Sequence, residues 1–146
     1  CRGRGLPEPS RQAVRRGRDG RYYLDVVWER WRVIVEIDGI HTRGEEWGGQ
    51  LVRHIELGPG VDFAPVFKGL PDDRCQCAHW GYIVEGSIVI QYADGTEEVN
   101  QAGDLYYWPG GHTGYTAEGV VFIEFSPADD LRPVLEHIGA QLAAAS

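Results

Sequence analysis

The stretch that decides the fold runs from Cys75 to His112 and reads CQCAHWGYIVEGSIVIQYADGTEEVNQAGDLYYWPGGH. It begins with Cys75, Cys77 and His79 at alternating positions. Because every second side chain of an extended strand faces the same side, we expect all three to point into one cavity. Strand patterns and turn signals then lead through a run of aromatic residues to His112. This order predicts a small β-barrel whose mouth carries a site.

Short strand patterns separated by turn signals continue on both sides of this stretch. The pair Asp94-Gly95 is a strong hairpin signal between two of them. Strands are predicted over 50–57, 62–68, 86–92, 97–100 and 105–108, and within 116–126. Such a series of short strands is typical of a sandwich or barrel.

A helical pattern follows the last predicted strand. Over 129–144 the apolar residues recur at helical spacing. They are Leu131, Val134, Leu135, Ile138 and Leu142. We therefore predict a C-terminal amphipathic helix that packs on the outside of the barrel.

Two motifs within 47–127 resemble those of the cupin family. The first is Tyr82-Ile83-Val84-Glu85-Gly86, which is similar to the strand and closing glycine of the first cupin motif. The second combines Gly103-Asp104 with Pro109-Gly110-Gly111-His112. The resemblance implies an all-β fold, a single cupin barrel of the double-stranded β-helix or jelly-roll type. To this the patterns add the C-terminal α-helix and an N-terminal β-hairpin appendage.

The sequence departs from the cupin pattern at the metal ligands. Counting back from Gly86, His79 stands where the family has its Glu, and Cys75 stands where it has the second His. The position of the first His falls at Asp73, and His112 comes earlier than the usual motif His. The three-His-one-Glu set that the family uses is therefore absent, and a metal site here would be a non-standard one.

The candidate metal ligands are Cys75, Cys77, His79 and His112. Thiolate and imidazole ligands favour Zn²⁺ and also suit Fe²⁺, Ni²⁺ or copper. We favour Cys77, His79 and His112, because Cys75 lies next to a loop where alternation is least reliable. The alternative is a metal-free pocket, since cysteine often behaves as a small buried hydrophobe.

Two aromatic residues near the second motif are predicted to line the pocket. Tyr106 and Trp108 share alternation parity with His112. They could equally be ordinary barrel core, which is the commoner use of such side chains. No residue is assigned a catalytic role, because neither Glu85 nor Glu124, the nearest acids, has a determined direction.

Charge divides the chain into two parts. Residues 1–44 hold ten Arg and six acidic residues, a balance of +4, whereas 45–146 hold four basic and sixteen acidic residues, a balance of −12. Such a break indicates two pieces of different origin, joined by a glycine-rich linker over 42–49. The acidic barrel is a poor candidate for binding nucleic acid. We interpret 45–146 as the cupin domain.

The N-terminal part, 1–44, begins with an Arg- and Gly-rich stretch, 1–20, that we expect to be loosely packed. Strand patterns over 21–28 and 32–38 then predict a hairpin. With the motifs Gly5-Leu6-Pro7-Glu8-Pro9, Leu24-Asp25-Val26 and Val35-Glu36-Ile37-Asp38-Gly39-Ile40-His41, this part resembles small endonuclease-like proteins related to very-short-patch-repair nucleases. By that resemblance Asp25, Glu36 and Asp38 would hold Mg²⁺. Because the rest of that fold is missing, we interpret the part as a truncated, inactive remnant.

Three functions from different classes therefore remain open. The first is a cupin that binds a small molecule, and the second is a metal-dependent cupin enzyme of the dioxygenase or isomerase type. The third is residual nuclease activity of the N-terminal part. The three cysteines do not make a disulfide framework, which favours a reduced, cytoplasmic protein. No apolar run approaches the ~20 residues that span a bilayer. The cupin resemblance implies a homodimer.

Overall fold

The computed structural model of this protein describes residues 11–16, 22–27 and 40–145. The strands in these ranges are β1 (Arg11–Arg16), β2 (Tyr22–Val27), β3 (Ile40–Trp47), β4 (Gln50–Leu57), β5 (His79–Tyr92), β6 (Glu97–Gln101), β7 (Leu105–Trp108), β8 (His112–Tyr115) and β9 (Val120–Pro127). The helices are α1 (Ala64–Phe67) and α2 (Ala128–Ala145), and a 3-10 turn spans Pro71–Asp73.

Strand β5 organises the barrel because it takes part in both halves of the sheet. The strand order is β3-β4-β9-β5-β6, and β7 and β8 also pair with β5. The first half of β5 pairs with β7 and β9, and its second half pairs with β6 and β8. All these pairings are antiparallel. One strand of 14 residues thus links the two faces around a common interior.

Gly86 allows β5 to bend between its two halves. Its φ is +75°, and a Cβ at this position would lie 2.1 Å from the carbonyl oxygen of Gly119. Only glycine meets both requirements without strain. The register between β5 and β9 also shifts between Ile83 and Glu85. The closing glycine of the first motif therefore marks the bend of the central strand.

The barrel interior is filled by side chains that alternate along each strand. In β9, Val120, Phe122, Glu124 and Ser126 are buried, and the residues between them are only partly buried. One core cluster lies within the barrel. It contains Ile55, Leu57, Ile83, Ile88, Ile90, Tyr106, Trp108, Val120 and Phe122. The interior-facing row of β9 changes from apolar to polar at Glu124, and the site lies there.

A second core cluster joins the barrel to helix α2. Leu131 and Val134 of α2 are buried beside Leu51 of β4 and Phe67 of α1. Cys75, Cys77 and Ala128 complete this cluster. The helix therefore closes one side of the barrel interior with its apolar face.

The all-β barrel with a C-terminal helix is confirmed. Strand β4 covers the predicted strand 50–57, and α2 extends the predicted helix by one residue at each end. The hairpin at Asp94-Gly95 is present, with Gly95 at a φ of +85° and the side chain of Asp94 accepting hydrogen bonds from Thr96. These elements could be predicted because each of them buries one face, and the apolar residues of that face recur at a spacing that is visible in the sequence.

Three local predictions were wrong. The segment 42–49 is not a linker, because 40–47 form β3, which pairs along its whole length with β4. The segment 62–68 contains helix α1 instead of a strand, since Pro65 stands in the first turn of a helix, where proline is tolerated. The segment 11–16, expected to be loosely packed, forms β1 and pairs with β2.

The second strand predicted for the N-terminal hairpin, 32–38, lies outside the described residues. No helix among the described residues has the length and apolar character to cross a membrane.

The outer face of the β5-β7 pair carries exposed apolar side chains. Tyr82 lies opposite Leu105, and Trp80 lies opposite Tyr107. Leu105 and Tyr107 expose 82% and 60% of their surface. Exposed apolar side chains that lie next to one another on a sheet are unusual for a monomer.

The barrel core depends on Ile83, which is fully buried where β5 approaches its bend. We expect Ile83→Ala to lower the free energy of unfolding by about 2–5 kcal/mol, through lost apolar burial and a residual cavity. Urea unfolding of the two proteins measures this difference. The matched control is Val99→Ala on the exposed side of β6, for which we expect a change within about 0.5 kcal/mol. Equal losses in the two variants would contradict the assignment of the core.

Candidate functional site

A cavity of about 120 Å³ lies between the barrel interior and the two helices. Its apolar wall comes from Ile40, Ile55, Phe63, Phe67, Ile88, Ile90, Trp108, Phe122, Leu131, Val134, Leu135 and Ile138. Its polar lining comes from Thr42, Arg53, Cys75, His79, His112 and Glu124. Polar groups that converge in a mostly apolar cavity are typical of a small-molecule site.

Three nitrogen- and sulfur-bearing side chains meet in this cavity. One ligand atom each from Cys75, His79 and His112 lies within 4.8 Å of the other two. Cys75 Sγ is 3.4 Å from His79 Nε2, and the two imidazole centroids are 5.0 Å apart. All three residues are at least 95% buried. We call this group the Cys-His cluster.

The backbone holds Cys75 and His112 side by side. Cys75 donates its N–H to the carbonyl of His112 at 2.8 Å, and its own carbonyl accepts from the N–H of Gly111 at 2.7 Å. This close approach requires a glycine at position 110, where a Cβ would lie 2.3 Å from the carbonyl oxygen of Gln76. The glycines of the second motif therefore bring the loop before β5 against the start of β8.

Hydrogen bonds orient both imidazole rings. His112 Nδ1 donates to the carbonyl oxygen of Pro109 at 2.7 Å. His79 Nδ1 lies 2.7 Å from Ser126 Oγ, and that hydroxyl donates to Glu124 Oε2 at 3.2 Å. Because each Nδ1 has its partner, each ring keeps Nε2 as the nitrogen with a free lone pair. Such outer partners fix the ring and tautomer of metal-binding histidines.

A buried ion pair anchors this chain of hydrogen bonds. Arg53 of β4 and Glu124 of β9 are cross-strand partners. The Arg53 side chain donates to Glu124 Oε2 from both Nε, at 3.1 Å, and Nη2. Glu124 Oε1 lies 3.7 Å from His79 Nδ1. Burial by itself would raise the pKa of Glu124, but Arg53, His79 and Ser126 hold it below its ordinary value.

Burial keeps the Cys-His cluster uncharged. It lowers the pKa of His79 to about 4, against an opposing effect of Glu124. It also lowers the pKa of His112, although the hydrogen bond to Pro109 acts in the other direction. Burial raises the pKa of the Cys75 thiol to about 12. Both imidazoles are therefore neutral at pH 7, which is the form that binds metal ions.

The structure brings together three of the four candidate ligands. Cys77 packs in the cluster beneath α2, and its thiol donates to the carbonyl of Ala78 at 3.3 Å. Cys75, Cys77 and His79 do not share one face of a strand, although the alternation predicted it. Strand β5 begins only at His79, so the two cysteines precede the regular strand. The geometry therefore groups Cys75 with the histidines, where the sequence favoured Cys77.

The two predicted pocket aromatics take different places. Trp108 lines the cavity, and its indole N–H donates to Asn100 Oδ1 at 2.7 Å. Tyr106 stacks on Trp108 with 3.9 Å between ring centroids and donates its hydroxyl to the carbonyl of Ile123. Tyr106 lies in the core behind Trp108 and is not among the residues that line the cavity.

The acidic residues of the nuclease resemblance are described only in part. Asp25 lies on β2, opposite Ala13 of β1. Glu36 and Asp38 lie outside the described residues.

Sequence reasoning missed Arg53 and Ser126. Arg53 stands between Leu51 and Ile55, which are both buried, and Ser126 follows Phe122 and Glu124 in the inward row of β9. Polar residues at interior positions of two strands were a signal in the sequence. Their partnership could not be recognised, because it depends on β4 and β9 being neighbours.

Comparisons with known proteins bear on the fold. No protein-family model matches the sequence, and no curated protein does. The nuclease resemblance of the N-terminal part therefore gains no support. Among solved structures, the Clostridium difficile EutQ protein matches with 14% identity and a TM-score of 0.50, covering 81% of this chain and 96% of its own.

Two further solved structures give comparable matches. A putative ethanolamine utilization protein q from Salmonella typhimurium has 14% identity and a TM-score of 0.49, covering 85% of this chain and 99% of its own. An RmlC-like cupin from Shewanella frigidimarina has 21% identity and a TM-score of 0.48, covering 68% of this chain and 86% of its own.

The described barrel has a cupin-like jelly-roll fold. Its antiparallel strands pair around the shared strand β5, and the C-terminal helix packs against them. The match to the EutQ protein, at a TM-score of 0.50, agrees with this fold. The predicted fold is thus confirmed for the barrel.

The buried, neutral His79 makes stability depend on pH. Its folded pKa of about 4 lies below the ordinary value of 6.5, so between these pH values the unfolded chain takes up a proton that the folded chain does not. Stability is therefore lost as pH falls from about 6.5 to 4, by about 3 kcal/mol from this group.

We expect His79→Asn to reduce the fall in the free energy of unfolding between pH 6.5 and 4, because the substituted side chain does not take up a proton. Urea unfolding of the metal-free protein at several pH values between 4 and 7 measures it. The matched control is Val99→Asn, at an exposed position on β6 without a titratable group, which should leave the pH profile unchanged. An unchanged profile for His79→Asn would show that His79 is not buried in its neutral form.

Proposed function

We propose that this protein is a small cupin-domain protein that binds a small molecule through a divalent metal held by the Cys-His cluster. The observation that carries the proposal is the set of three buried donors in the lining of a mostly apolar cavity. Both histidines already have their Nδ1 atoms in hydrogen bonds, which leaves Nε2 of each ring as the nitrogen that could bind a metal.

The spacing of the donors suits a metal ion. Zn–S bonds of about 2.3 Å and Zn–N bonds of about 2.0 Å place two tetrahedral ligand atoms roughly 3.5 Å apart. Cys75 Sγ and His79 Nε2 are 3.4 Å apart. One thiolate with two imidazoles suits Zn²⁺, Fe²⁺ or Ni²⁺. The donor set supports a divalent metal without selecting among these.

Three protein ligands leave a coordination position for a ligand from the cavity. A metal bound there would act as a Lewis acid toward that ligand. The protein's own residues do the rest: Ser126 and Pro109 hold the rings, and the apolar wall excludes water. If Cys77 were a fourth ligand, the site would instead be closed and structural.

A metal-dependent enzyme of the dioxygenase or isomerase type is the alternative. An acid or base for proton transfer must reach the substrate. Among the described residues one carboxylate lines the cavity, Glu124, and it is held by Arg53 and Ser126. Glu85, the other acid near the motif, is exposed. These placements favour binding over catalysis.

We also propose that the protein forms a homodimer through the outer face of its β5-β7-β9 sheet. The surface consists of Trp80, Tyr82, Val84, Leu105, Tyr107, Ile123 and Phe125. A two-fold interface joins a surface to its own copy, and uncharged apolar side chains are complementary to themselves.

The proposed compartment is the cytoplasm, where Cys75 and Cys77 would stay reduced, as the metal site requires. Residual nuclease activity of the N-terminal part stays a prediction, since two of its three acidic residues lie outside the described residues.

The metal proposal is tested by graded loss of affinity. Titration of the metal-free protein with Co²⁺ should give thiolate-to-cobalt absorption with one ion per chain. We expect Ser126→Ala to weaken binding roughly 10- to 100-fold, because it removes only the partner that orients His79. Cys75→Ser, His79→Ala and His112→Ala should each weaken it further, because they remove a ligand.

Cys77→Ser is the matched control, since it makes the same substitution two residues away. We expect it to keep both the cobalt absorption and the affinity. Loss of the absorption in Cys77→Ser but not in Cys75→Ser would overturn the ligand set. Absence of cobalt binding under reducing conditions would overturn the metal proposal and leave a metal-free pocket.

The dimer proposal is tested by placing a charge on the sheet face. We expect Leu105→Glu to convert a dimer into a monomer, because the new carboxylate would be buried without a partner. Light scattering with size-exclusion chromatography measures the mass. Val99→Glu, also exposed but on β6, is the control and should leave the dimer intact. A monomeric unmodified protein at tens of micromolar would contradict the proposal.

A further inference from the structure

The shape and charge of the cavity restrict the ligand that it accepts. This inference rests on the proposed metal site and adds the chemical class of the ligand. Three properties decide it: the volume of the cavity, the distribution of polar groups in its wall, and the net charge of the buried groups.

The volume admits only a compact molecule. The cavity measures about 120 Å³. An apolar protein cavity of about 150 Å³ holds one benzene molecule. The ligand body is therefore about the size of a single six-membered ring or of a branched chain of similar bulk, and two fused rings exceed the space.

The wall demands an apolar body with one polar end. Phe63 and Phe67 of the α1 region and the apolar face of α2 form one part of the wall, and Ile88, Ile90 and Phe122 form another. The Cys-His cluster, the Arg53–Glu124 pair and Thr42 supply the polar part. A sugar or a polyalcohol would leave hydroxyl groups unpaired against this apolar wall, at considerable cost.

The charge balance favours an anion. The titratable side chains that line the cavity are Arg53, Glu124, Cys75, His79 and His112. Arg53 and Glu124 neutralise one another, and imidazoles bind a metal ion in their neutral form. A divalent ion with the Cys75 thiolate would then leave one net positive charge in a mostly apolar cavity. A ligand with a single negative charge removes that imbalance, whereas a neutral ligand or a dianion does not.

We propose that the cavity binds a compact apolar monoanion, a carboxylate on a single ring or on a short branched chain, with the carboxylate directed to the metal-bearing Cys-His cluster. Arg53 stands beside this end of the cavity and favours the negative group, while its own charge stays paired with Glu124. Helix α2 determines the size limit, because Val134 and Leu135 form part of the wall around the body of the ligand.

The test uses the full chain loaded with Co²⁺, whose absorption reports on the metal environment. Four probes are compared: benzoate, its neutral analogue benzamide, the larger 2-naphthoate, and acetate, which lacks an apolar body. We expect benzoate to change the cobalt spectrum saturably. It should bind at least tenfold more tightly than each of the other three.

A variant of helix α2 tests the location. Val134→Phe places a ring in the part of the cavity that α2 lines, without removing a metal ligand. It should weaken benzoate binding at least tenfold while the cobalt spectrum without benzoate is retained. Val99→Phe, the same substitution at an exposed position, is the control and should bind benzoate normally. Leu135→Phe serves the same purpose if Val134→Phe does not fold. The comparison of the four probes is made on the unmodified protein and does not depend on either variant.

The outcomes separate the two proposals. If cobalt binds but benzoate does not, or if benzamide or 2-naphthoate binds equally well, the ligand class is wrong and the metal proposal stands. If cobalt does not bind, the metal proposal fails, and the charge argument for an anion fails with it. Benzoate binding that Val134→Phe leaves unchanged would place the probe outside this cavity and overturn the inference.

Discussion

The buried ion pair between Arg53 and Glu124 is the interaction on which the site depends. Removing two charges from water is costly, and only close pairing and further hydrogen bonds offset that cost. Here the pairing fixes Glu124, Glu124 fixes the hydroxyl of Ser126, and that hydroxyl fixes the ring of His79. A polar group at the inner end of β9 would otherwise be an unsatisfied defect in an apolar barrel. Because every buried polar group in this row needs a hydrogen-bond partner, the orientation of the His79 ring follows from the Arg53–Glu124 ion pair.

The second side of the Cys-His cluster depends on backbone approach. Cys75 and His112 exchange backbone hydrogen bonds, and glycine at position 110 allows the loop before β5 to pack against this turn. The carbonyl of Pro109 then accepts from His112. One imidazole is thus held by a side-chain network, and the other by a turn of the main chain. Two independent supports fix the two rings 5.0 Å apart, which is the preorganisation that a binding site needs.

The helix gives the barrel its enclosed interior. The sequence predicted that α2 packs on the outside, and the structure shows its apolar face as part of the cavity wall. Leu131 and Val134 lie against the same cavity as the Cys-His cluster, although they are far from it in sequence. The volume available to a ligand is therefore determined by the packing of a helix on a barrel, and the chemistry at the polar end is determined by the barrel strands.

The sequence by itself determined the strand over 50–57, the hairpin at Asp94-Gly95 and the C-terminal helix. These features follow from alternation, helical spacing and the conformational freedom of glycine, which act over a few neighbouring residues. It also determined which residue types could bind a metal, since Cys75, Cys77, His79 and His112 stand in the central stretch. The predictions for 42–49 and 62–68 were wrong, because glycine also occurs within strands such as β3 and proline also occurs in the first turn of a helix such as α1.

Only the tertiary structure decided which of those residues meet. Cys75 joins His79 and His112 because the loop before β5 pairs with β8, whereas Cys77 lies on an irregular segment and packs beneath α2. Arg53 and Ser126 enter the site because β4 and β9 are neighbours in the sheet, an arrangement that no short-range pattern encodes. The physical reason is that a site is formed by contacts between distant segments, and their register depends on the packing of the whole barrel.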